Sequence, residues 1–488
     1  MDRANQNGLD RSITAGSDFL QLDIGEAPPG GRAEWLAGRL RAAVADGRLP
    51  IGARLPASRV LAAELRVSRG VVTEAYQRLI DDGHVAGRGR AGTVVVAAPV
   101  APPSLAPQHK SGPIITALPG ADVFDALREA SARIDLSPGL PDLTAFPRTA
   151  WLRAERAVLD ELAPSDFGYG DPRGAPAMRL AIARRLGRTR GIRVDPGEVI
   201  VVAGVAQAFG IAGQVLRAHG ITDLAVEDPG SLGARQHLHH AGLSTPPIAV
   251  DDAGLRVDEL RASGAPAVML TPAHQFPTGV VLDGERRRDL MRWARSGGLI
   301  LEDDYDAEHR YDRPPVPALR AMLPVQVCYA GSVSKLLAPA LRIGWLLAPP
   351  RFHDDFVAAK RFADLGNAVL AQLVLARLME TGELDRQLRL LRPRHRRRRD
   401  AMIAALETHV PMAKVHGAAA GLHLTITFPA GISDVEVAAA ALDRGVKTQP
   451  LSWHRQRPGP PGLVLGYAAR TVTEIAEGVA VLGRVLRP

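Results

Sequence analysis

The chain has 488 residues, 46% of them apolar and 23% charged, with a formal net charge of +8. That length implies two to four domains, and that composition implies folded ones. Its single cysteine, Cys328, rules out a disulfide framework or thiolate metal cluster, and no stretch reaches the 18 uninterrupted apolar residues of a membrane-spanning helix.

Residues 1–17, MDRANQNGLDRSITAGS, read as a polar, disordered tail without the apolar segment of a secretory signal, so a cytoplasmic protein is expected. Residues 18–96 read as a short helical domain ending in a hairpin. LAGRLRAAVADG, SRVLAAEL and SRGVVTEAYQRLIDDG are helical by period and end at glycine signals. The turn RVS separates the last two helices, and its Ser68 is placed to cap the second. Ser68, Arg69 and Thr73 then open a helix whose start would point into a major groove. VAGRGRAGTVVV follows, putting Arg88 and Arg90 at a glycine-rich hairpin tip suited to backbone phosphates or a minor groove. Charge agrees with this. Between residues 31 and 96 stand eleven arginines against six acids, a net +5 that permits a polyanionic partner.

The pattern LPxSRxLAxxLxVSRxxVxxAYxxLxxxG, with an arginine-tipped wing, resembles the winged helix-turn-helix of the GntR family of bacterial transcription regulators. The resemblance implies double-stranded operator DNA as a partner and Arg54, Ser58, Arg59, Ser68, Arg69, Thr73 and Arg88 as its contacts.

Residues 97–129 read as a linker, because Ala97 to Ala121 is rich in Pro, Ala and Ser without periodicity. From residue 130 to 488 short apolar strands alternate with helical segments: VIVVAG, LAVEDP, AVMLTP, LILEDDY, VCYAGS and IGWLLAP. That alternation predicts an α/β domain on a mainly parallel sheet covered on both faces. One long helical run from Ala358 to Arg392 is expected to carry the chain into a smaller C-terminal subdomain.

GSVSKLLAPALRIGW follows a predicted strand and sets Ser332, Ser334, Lys335 and Arg342 together. Hydroxyls and an arginine beside a lysine suit a phosphorylated ligand whose carbonyl the lysine can reach. Burial lowers the pKa of such an amine, so that it attacks an aldehyde near neutral pH. In LILEDDY the period of a strand puts Asp303 and Tyr305 on one face, one to pair with a pyridinium nitrogen, the other to hydrogen-bond a ring hydroxyl. Asp304 would point away. The strand VIVVAG ends at Gly204 and opens a helix whose first amides, Val205, Ala206 and Gln207, form an anion site.

Strand-Gly-helix, EDPG, HQFPTG, EDDYD and SxSK with its arginine occur in order, and together they resemble fold-type I aminotransferases. Their fusion behind a winged helix is similar to the MocR subfamily of GntR-type regulators. The resemblance implies pyridoxal 5'-phosphate as cofactor, with Lys335 in a Schiff base, Asp303 on the ring nitrogen, and Ser332 and Arg342 on the phosphate. It implies His274 and Gln275 at the ring's hydroxyl edge, and Tyr169 reaching the phosphate of a neighbouring subunit in a homodimer. Two positions depart from the pattern. Ser231 stands after EDPG where many relatives carry an aromatic, and the C-terminal stretch RPGPPGLVLGYAAR lacks the usual carboxylate-binding arginine, leaving Arg455, Arg457 and Arg470 out of place.

The expected function is a transcription regulator that senses the cofactor, or its adduct with an amine or amino-acid effector. A working aminotransferase with an accessory DNA-binding domain, or a cofactor-free dimerisation core, are the other readings. His309 and His423 have no spacing that suggests a metal, and RPRHRRRRD, residues 392–400, is expected as a solvated helix face.

Overall fold

A computed structural model describes residues 22–89, 92–97, 113–306, 308–309, 316–417 and 420–487. The expected tail, Arg90 and residues 98–112 of the expected linker lie outside the described residues. The chain divides into two compact units, with the boundary in sequence between Ser111 and Gly112.

The first unit holds helices α1 (Arg32–Ala45), α2 (Ser58–Glu64) and α3 (Arg69–Asp81), then strands β1 (Val85–Gly87) and β2 (Thr93–Val95). Leu36 and Leu40 of α1, Leu61 of α2, and Val72 and Leu79 of α3 recur at helical spacing, and all five are fully buried in one core. The turn between α2 and α3 contains Arg66 in the left-handed region, at φ 53°. Ser68 occupies the cap position of α3, but its side chain makes no capping hydrogen bond. β1 and β2 pair antiparallel with Val85 opposite Val95, forming the wing.

The second unit begins with α4 (Val123–Glu129) and β3 (Ile134–Asp135), then α5 (Arg148–Glu161) and α6 (Pro176–Arg190). Residues 113–129, expected as linker, fold into this unit. Val123 and Leu127 lie one turn apart and enter its core, while Trp453 donates its indole N–H to Thr116 O at 2.8 Å.

Strands and helices then alternate: β4 (Val199–Val202), α7 (Val205–Ala218), β5 (Leu224–Asp228), α8 (Leu232–His240), β6 (Pro247–Asp251), β7 (Gly254–Leu255), α9 (Val257–Ser263), β8 (Ala267–Leu270), α10 (Gly284–Arg295), β9 (Leu299–Asp304), β10 (Val327–Ser332) and β11 (Gly344–Leu347). They form an eight-stranded sheet in the order β4-β11-β10-β9-β8-β5-β6-β7. β6, β5, β8, β9 and β10 run parallel, and β11 is antiparallel to both its neighbours. The mainly parallel sheet expected from the buried strand runs is therefore present. Crevices at the carboxyl ends of such strands take ligands.

The run expected as one helix is three: α11 (His353–Asp364), α12 (Val369–Glu380) and α13 (Glu383–His409). Gly366 at φ 116° and Gly382 at φ 75° break it, in backbone conformations that side chains other than glycine's rarely adopt. Beyond lie β12 (Lys414–His416), β13 (His423–Thr427), α14 (Asp434–Asp443), β14 (Val446–Lys447), β15 (Gln449–Pro450), β16 (Gly462–Gly466) and α15 (Val472–Val485). β12, β13, β16 and β15 make an antiparallel sheet over a core that includes Leu424, Trp453 and Tyr467, and β14 pairs with β3. This is the smaller subdomain.

Truncating Leu79 to Ala leaves a cavity in the core of the first unit and should destabilise it by about 2–5 kcal/mol. Hydrogen exchange of the full chain should show faster exchange in peptides from α1 to α3, with peptides from β8, β9 and β10 unchanged. Equal loss of protection in both units would contradict separate cores.

Candidate functional site

Strand ends and one helix start converge on a cavity of about 460 Å³ in the second unit. Lys335, three residues beyond β10, is half-buried and donates its ammonium to Gly139 O. Burial lowers its pKa below the ordinary lysine value, against the opposing pull of Asp306 and Asp303. At φ 87° Gly139 admits this approach: a Cβ there would lie 2.7 Å from Lys335 Nζ.

Three acids leave the end of β9 in four residues. Asp304 turns to the far face, where Arg190 binds it with Nε at 2.6 Å and Nη2 at 3.1 Å, and Tyr329 donates to it as well. Asp306 accepts from His274 Nδ1 at 2.9 Å. Its carboxyl is pushed up by burial, but His274, His423 and His309 outweigh that and hold it below the ordinary value. Asp303 lines the cavity, and its Oδ1 is buried without a hydrogen-bond partner among the described residues. Burial, with Asp304 and Asp306 nearby, raises its pKa well above the ordinary value. A carboxyl in this state is completed by a ligand that brings a cationic N–H.

Tyr305 shares the cavity face with Asp303, and its phenol lies 2.9 Å from His274 Nδ1. Burial keeps that phenol protonated by raising its pKa well above 10. If Nδ1–H serves Asp306 and Tyr305 as acceptors, the phenol hydrogen is left to point at a ligand oxygen. His274 thus acts on the cavity through Tyr305 and is absent from its lining.

An anion site lies at the other end. Val205 and Ala206, the first residues of α7, line the cavity with Ser332, Ser334 and Arg342. Ser332 Oγ donates to Ser334 Oγ at 2.8 Å and accepts from the Ser334 amide at 3.0 Å. Arg342, itself left-handed at φ 51°, donates to Ala203 O and packs against Gly204, where a Cβ would stand 3.3 Å from its guanidinium. Helix amides, hydroxyls and a guanidinium match a phosphate.

Some expected residues are elsewhere. Gln275 is buried outside the lining and spends its amide on the loop, donating to Pro229 O at 2.8 Å and Phe276 O at 2.6 Å and accepting from Thr278 N and Oγ1. The Gln207 side chain accepts from Ala203 N at 2.7 Å and donates to Asp364 at 2.8 Å, so only its backbone belongs with the anion site. Tyr169 is 96% exposed and lines no part of the cavity of its own chain. Ser231 lines the cavity and caps α8, accepting from Ala234 N at 3.2 Å. The aromatic surface comes instead from Phe276, packed edge-on against Tyr305 and His454 at 6.0 and 5.0 Å between centroids.

Other groups were not expected here. His423, 149 positions from His274, brings a ligand atom within 4.8 Å of His274 and Asp306, a set of types able to hold a metal ion. Sequence spacing could not show it. Within RPRHRRRRD, His395 and Arg398 are buried rather than solvated, because the period of α13 turns them inward. Arg398 donates to Asp142 at 2.8 Å.

In the first unit Arg54, Arg59, Arg69, Thr73 and Arg88 are exposed, Ser68 is exposed at the start of α3, and Ser58 is half-buried beside Arg69 Nε at 3.4 Å. Thr73 donates to Arg69 O at 2.9 Å. Arg39, Arg41, Arg48 and Arg78 are held by Glu26, Asp82, Asp46, Glu34 and Glu74. Among the described residues Arg54, Arg59, Arg69 and Arg88 make no ion pair, so α2, α3 and the wing keep their cations for a polyanion.

Residues 32–95 match the gntR family of bacterial regulatory proteins, and residues 133–479 match the aminotransferase class I and II family. The probable rhizopine catabolism regulatory protein MocR of Rhizobium meliloti is 30% identical, covering 90% of this chain and 91% of that protein. The chain is a MocR-type member of the gntR family. The HTH-type transcriptional regulator TauR of Rhodobacter capsulatus is 31% identical over 94% of this MocR-type chain and 98% of TauR. Among solved structures, LysN, the α-aminoadipate aminotransferase of Thermus thermophilus complexed with N-(5'-phosphopyridoxyl)-L-leucine, is similar at TM-score 0.68 and 26% identity, covering 75% of this chain and 94% of LysN. This MocR-type protein is thus a helix-turn-helix transcription regulator with an aminotransferase-like domain. No helix among its described residues is long and apolar enough to cross a membrane.

Buried histidines of the second unit also set a pH dependence. Burial lowers His395 to about 3, His423 to about 4 and His454 to about 3. An unfolded histidine takes its proton near pH 6.5. The unfolded chain therefore binds more protons below that pH, and stability should fall as pH drops from 6.5 toward 4. Both ring nitrogens of His395 lack partners, so His395→Leu should leave stability at pH 8 nearly unchanged and flatten the slope of unfolding midpoint against pH. An unaltered slope would contradict a neutral, buried His395.

Proposed function

We propose that this regulator binds pyridoxal 5'-phosphate in the cavity of its second unit, and that occupancy by the cofactor, alone or joined to an amine or amino acid, alters operator binding by the first. The observation that carries the reading is Asp303 Oδ1, buried and without a partner among the described residues, on the wall of a cavity that also holds a half-buried lysine and an anion site. The cofactor supplies an electron-poor ring and a carbonyl able to capture a primary amine.

The residues divide the work. Asp303 would hold a protonated ring nitrogen as a carboxylate, a charge that burial with Asp304 and Asp306 disfavours unless the cation is present. Tyr305, oriented by His274, donates to a ring oxygen. The amides of Val205, Ala206 and Gln207, with Ser332, Ser334 and Arg342, fix the phosphate. Lys335, whose pKa burial lowers, would hold the carbonyl through its amine, with loss of water, after leaving Gly139 O. Tyr169, fully outside its own cavity, fits the reading of a homodimer in which it reaches the partner's phosphate.

In the first unit Arg54, Arg59, Arg69 and Arg88 contact DNA, with Ser58, Ser68 and Thr73 beside them. A ligand changes DNA affinity only through unequal affinity for two arrangements of the protein. A second reading rests on the same set: Lys335, Asp303, Tyr305 and Arg342 line one cavity, which supports transamination. Turnover of an amino donor with a keto acid, abolished in Lys335→Ala, would support it.

Fluorescence anisotropy on the protein's own upstream DNA, titrated with pyridoxal 5'-phosphate, tests the proposal. Cofactor should shift the affinity of wild type and not that of Lys335→Ala, and a wild type that binds DNA identically with and without cofactor sinks the sensing reading. Arg59→Ala and Arg69→Ala should each weaken DNA binding by about 10-fold. Asp303→Asn should weaken cofactor binding by roughly 30-fold or more, measured by its visible absorbance. Unchanged affinity there would remove Asp303 from the ring.

A further inference from the structure

The cavity has a second cation that the phosphate site does not use. Lys447 and Gln449, two apart on β14 and β15, both line it, while Thr448 between them is buried. The side chain of Lys447 is 6% exposed, and its ammonium stands 3.7 Å from Asp135 Oδ2, close enough for attraction but not for a hydrogen bond. Asp135 Oδ1 already accepts from the Ser137 amide at 2.8 Å. Among the described residues neither the Lys447 ammonium nor the Gln449 side-chain amide makes a hydrogen bond.

An ammonium has three donors, and among the described residues none of those of Lys447 is taken, so all are open to a ligand in the cavity. The open side of Lys447 is the cavity. Register fixes it there: β14 pairs with β3 so that Lys447 opposes Asp135, and β15 pairs with β16 so that Gln449 opposes Val464. β16 itself, Gly-Leu-Val-Leu-Gly, is wholly buried and presents no charge to a ligand. Among the described residues, the lining cation Arg128 is paired with Asp125, which leaves this ammonium and amide of the smaller subdomain as donors for an anion, with Ser332, Ser334 and Arg342 elsewhere on the wall.

We propose that Lys447 and Gln449 bind the carboxylate of an amino-acid effector whose amino group is directed at Lys335, and that Asp135 holds Lys447 loosely until the carboxylate replaces it. This rests on the cofactor reading above and narrows its ligand from amines in general to amines bearing a carboxylate. The ammonium would give a charge-assisted hydrogen bond to one carboxylate oxygen, and the Gln449 amide would donate to the other.

The test is calorimetric binding to the full-length, cofactor-loaded protein, using L-alanine against ethylamine and 5-aminopentanoate against pentylamine. In at least one pair the carboxylate-bearing member should bind wild type about 10-fold or more tightly, the worth of one charged hydrogen bond. Lys447→Met should erase that ratio without weakening cofactor binding, Lys447→Arg should keep it, and Asp135→Asn should raise affinity for the carboxylate ligand by removing its competitor. If Lys447→Met does not fold, Asp135→Asn and Gln449→Leu carry the test, with affinity changes of opposite sign. Wild type that treats both members of each pair alike, or a ratio that survives Lys447→Met, overturns the assignment. Failure of wild type to take up cofactor in the preceding absorbance titration overturns the cofactor reading and this one with it, and is told apart by occurring before any effector is added.

Discussion

Three carboxylates emerge from the end of one buried strand, and each must find compensation away from water. Asp304 finds a guanidinium on α6 and Asp306 an imidazole from the loop after β8, whereas Asp303 Oδ1 finds no hydrogen-bond partner among the described residues. Much of the second unit follows from that distribution. Arg190 ties the last turn of α6 to the back of the sheet, and His274 pins the loop that carries Phe276 beneath the cavity. The lysine opposite is depressed by the same lack of water that raises Asp303. One desolvated patch thus raises the pKa of an acid and lowers that of an amine within a single pocket, which is how buried sites acquire chemistry that exposed ones lack.

The two units divide charge in different ways. In the second, nearly every buried cation is spoken for: Arg185 by Glu308 and Asp385, Arg398 by Asp142, Lys360 by Asp364. In the first, four of the ten described arginines, on α1, α3 and the loop after α1, are paired, and those of α2, the start of α3 and the wing are not. Net charge alone reports neither arrangement. A surface that leaves its guanidiniums unpaired when acids are available a few residues away is shaped for an external polyanion.

Legibility tracked the range of the interactions involved. The strands of the large sheet were readable because both faces are buried and the sequence runs apolar without interruption, as in VIVV and AVML. Asp303 and Tyr305 were readable because strand alternation puts them on one face, and Lys335 because its neighbours Ser332, Ser334 and Arg342 lie within one short stretch. What stayed hidden was assembled across long separations. His423 meets His274 only because two subdomains fold together, and Lys447 reaches the cavity only through its register with β3. The helical run from residue 358 was misread because its apolar residues continue past Gly366 and Gly382, and α4 because Val123 and Leu127 are flanked by proline and glycine. Gln275 shows the reverse error: a polar side chain inside a recognisable motif was assigned to a ligand when it serves the loop.

Lys335 rests on the carbonyl of Gly139, in a segment anchored two ways: by Ser137 on Asp135, and by Asp142 on Arg394 and Arg398. Any molecule that captures this amine has to break that bond first. Its apparent affinity is therefore its intrinsic affinity scaled down by the fraction of protein in which the amine stands free. The concentration at which the pocket fills is set in part by a backbone carbonyl that competes for the amine. Residues 137–142 act as a threshold, and a change there could retune the response while leaving selectivity alone.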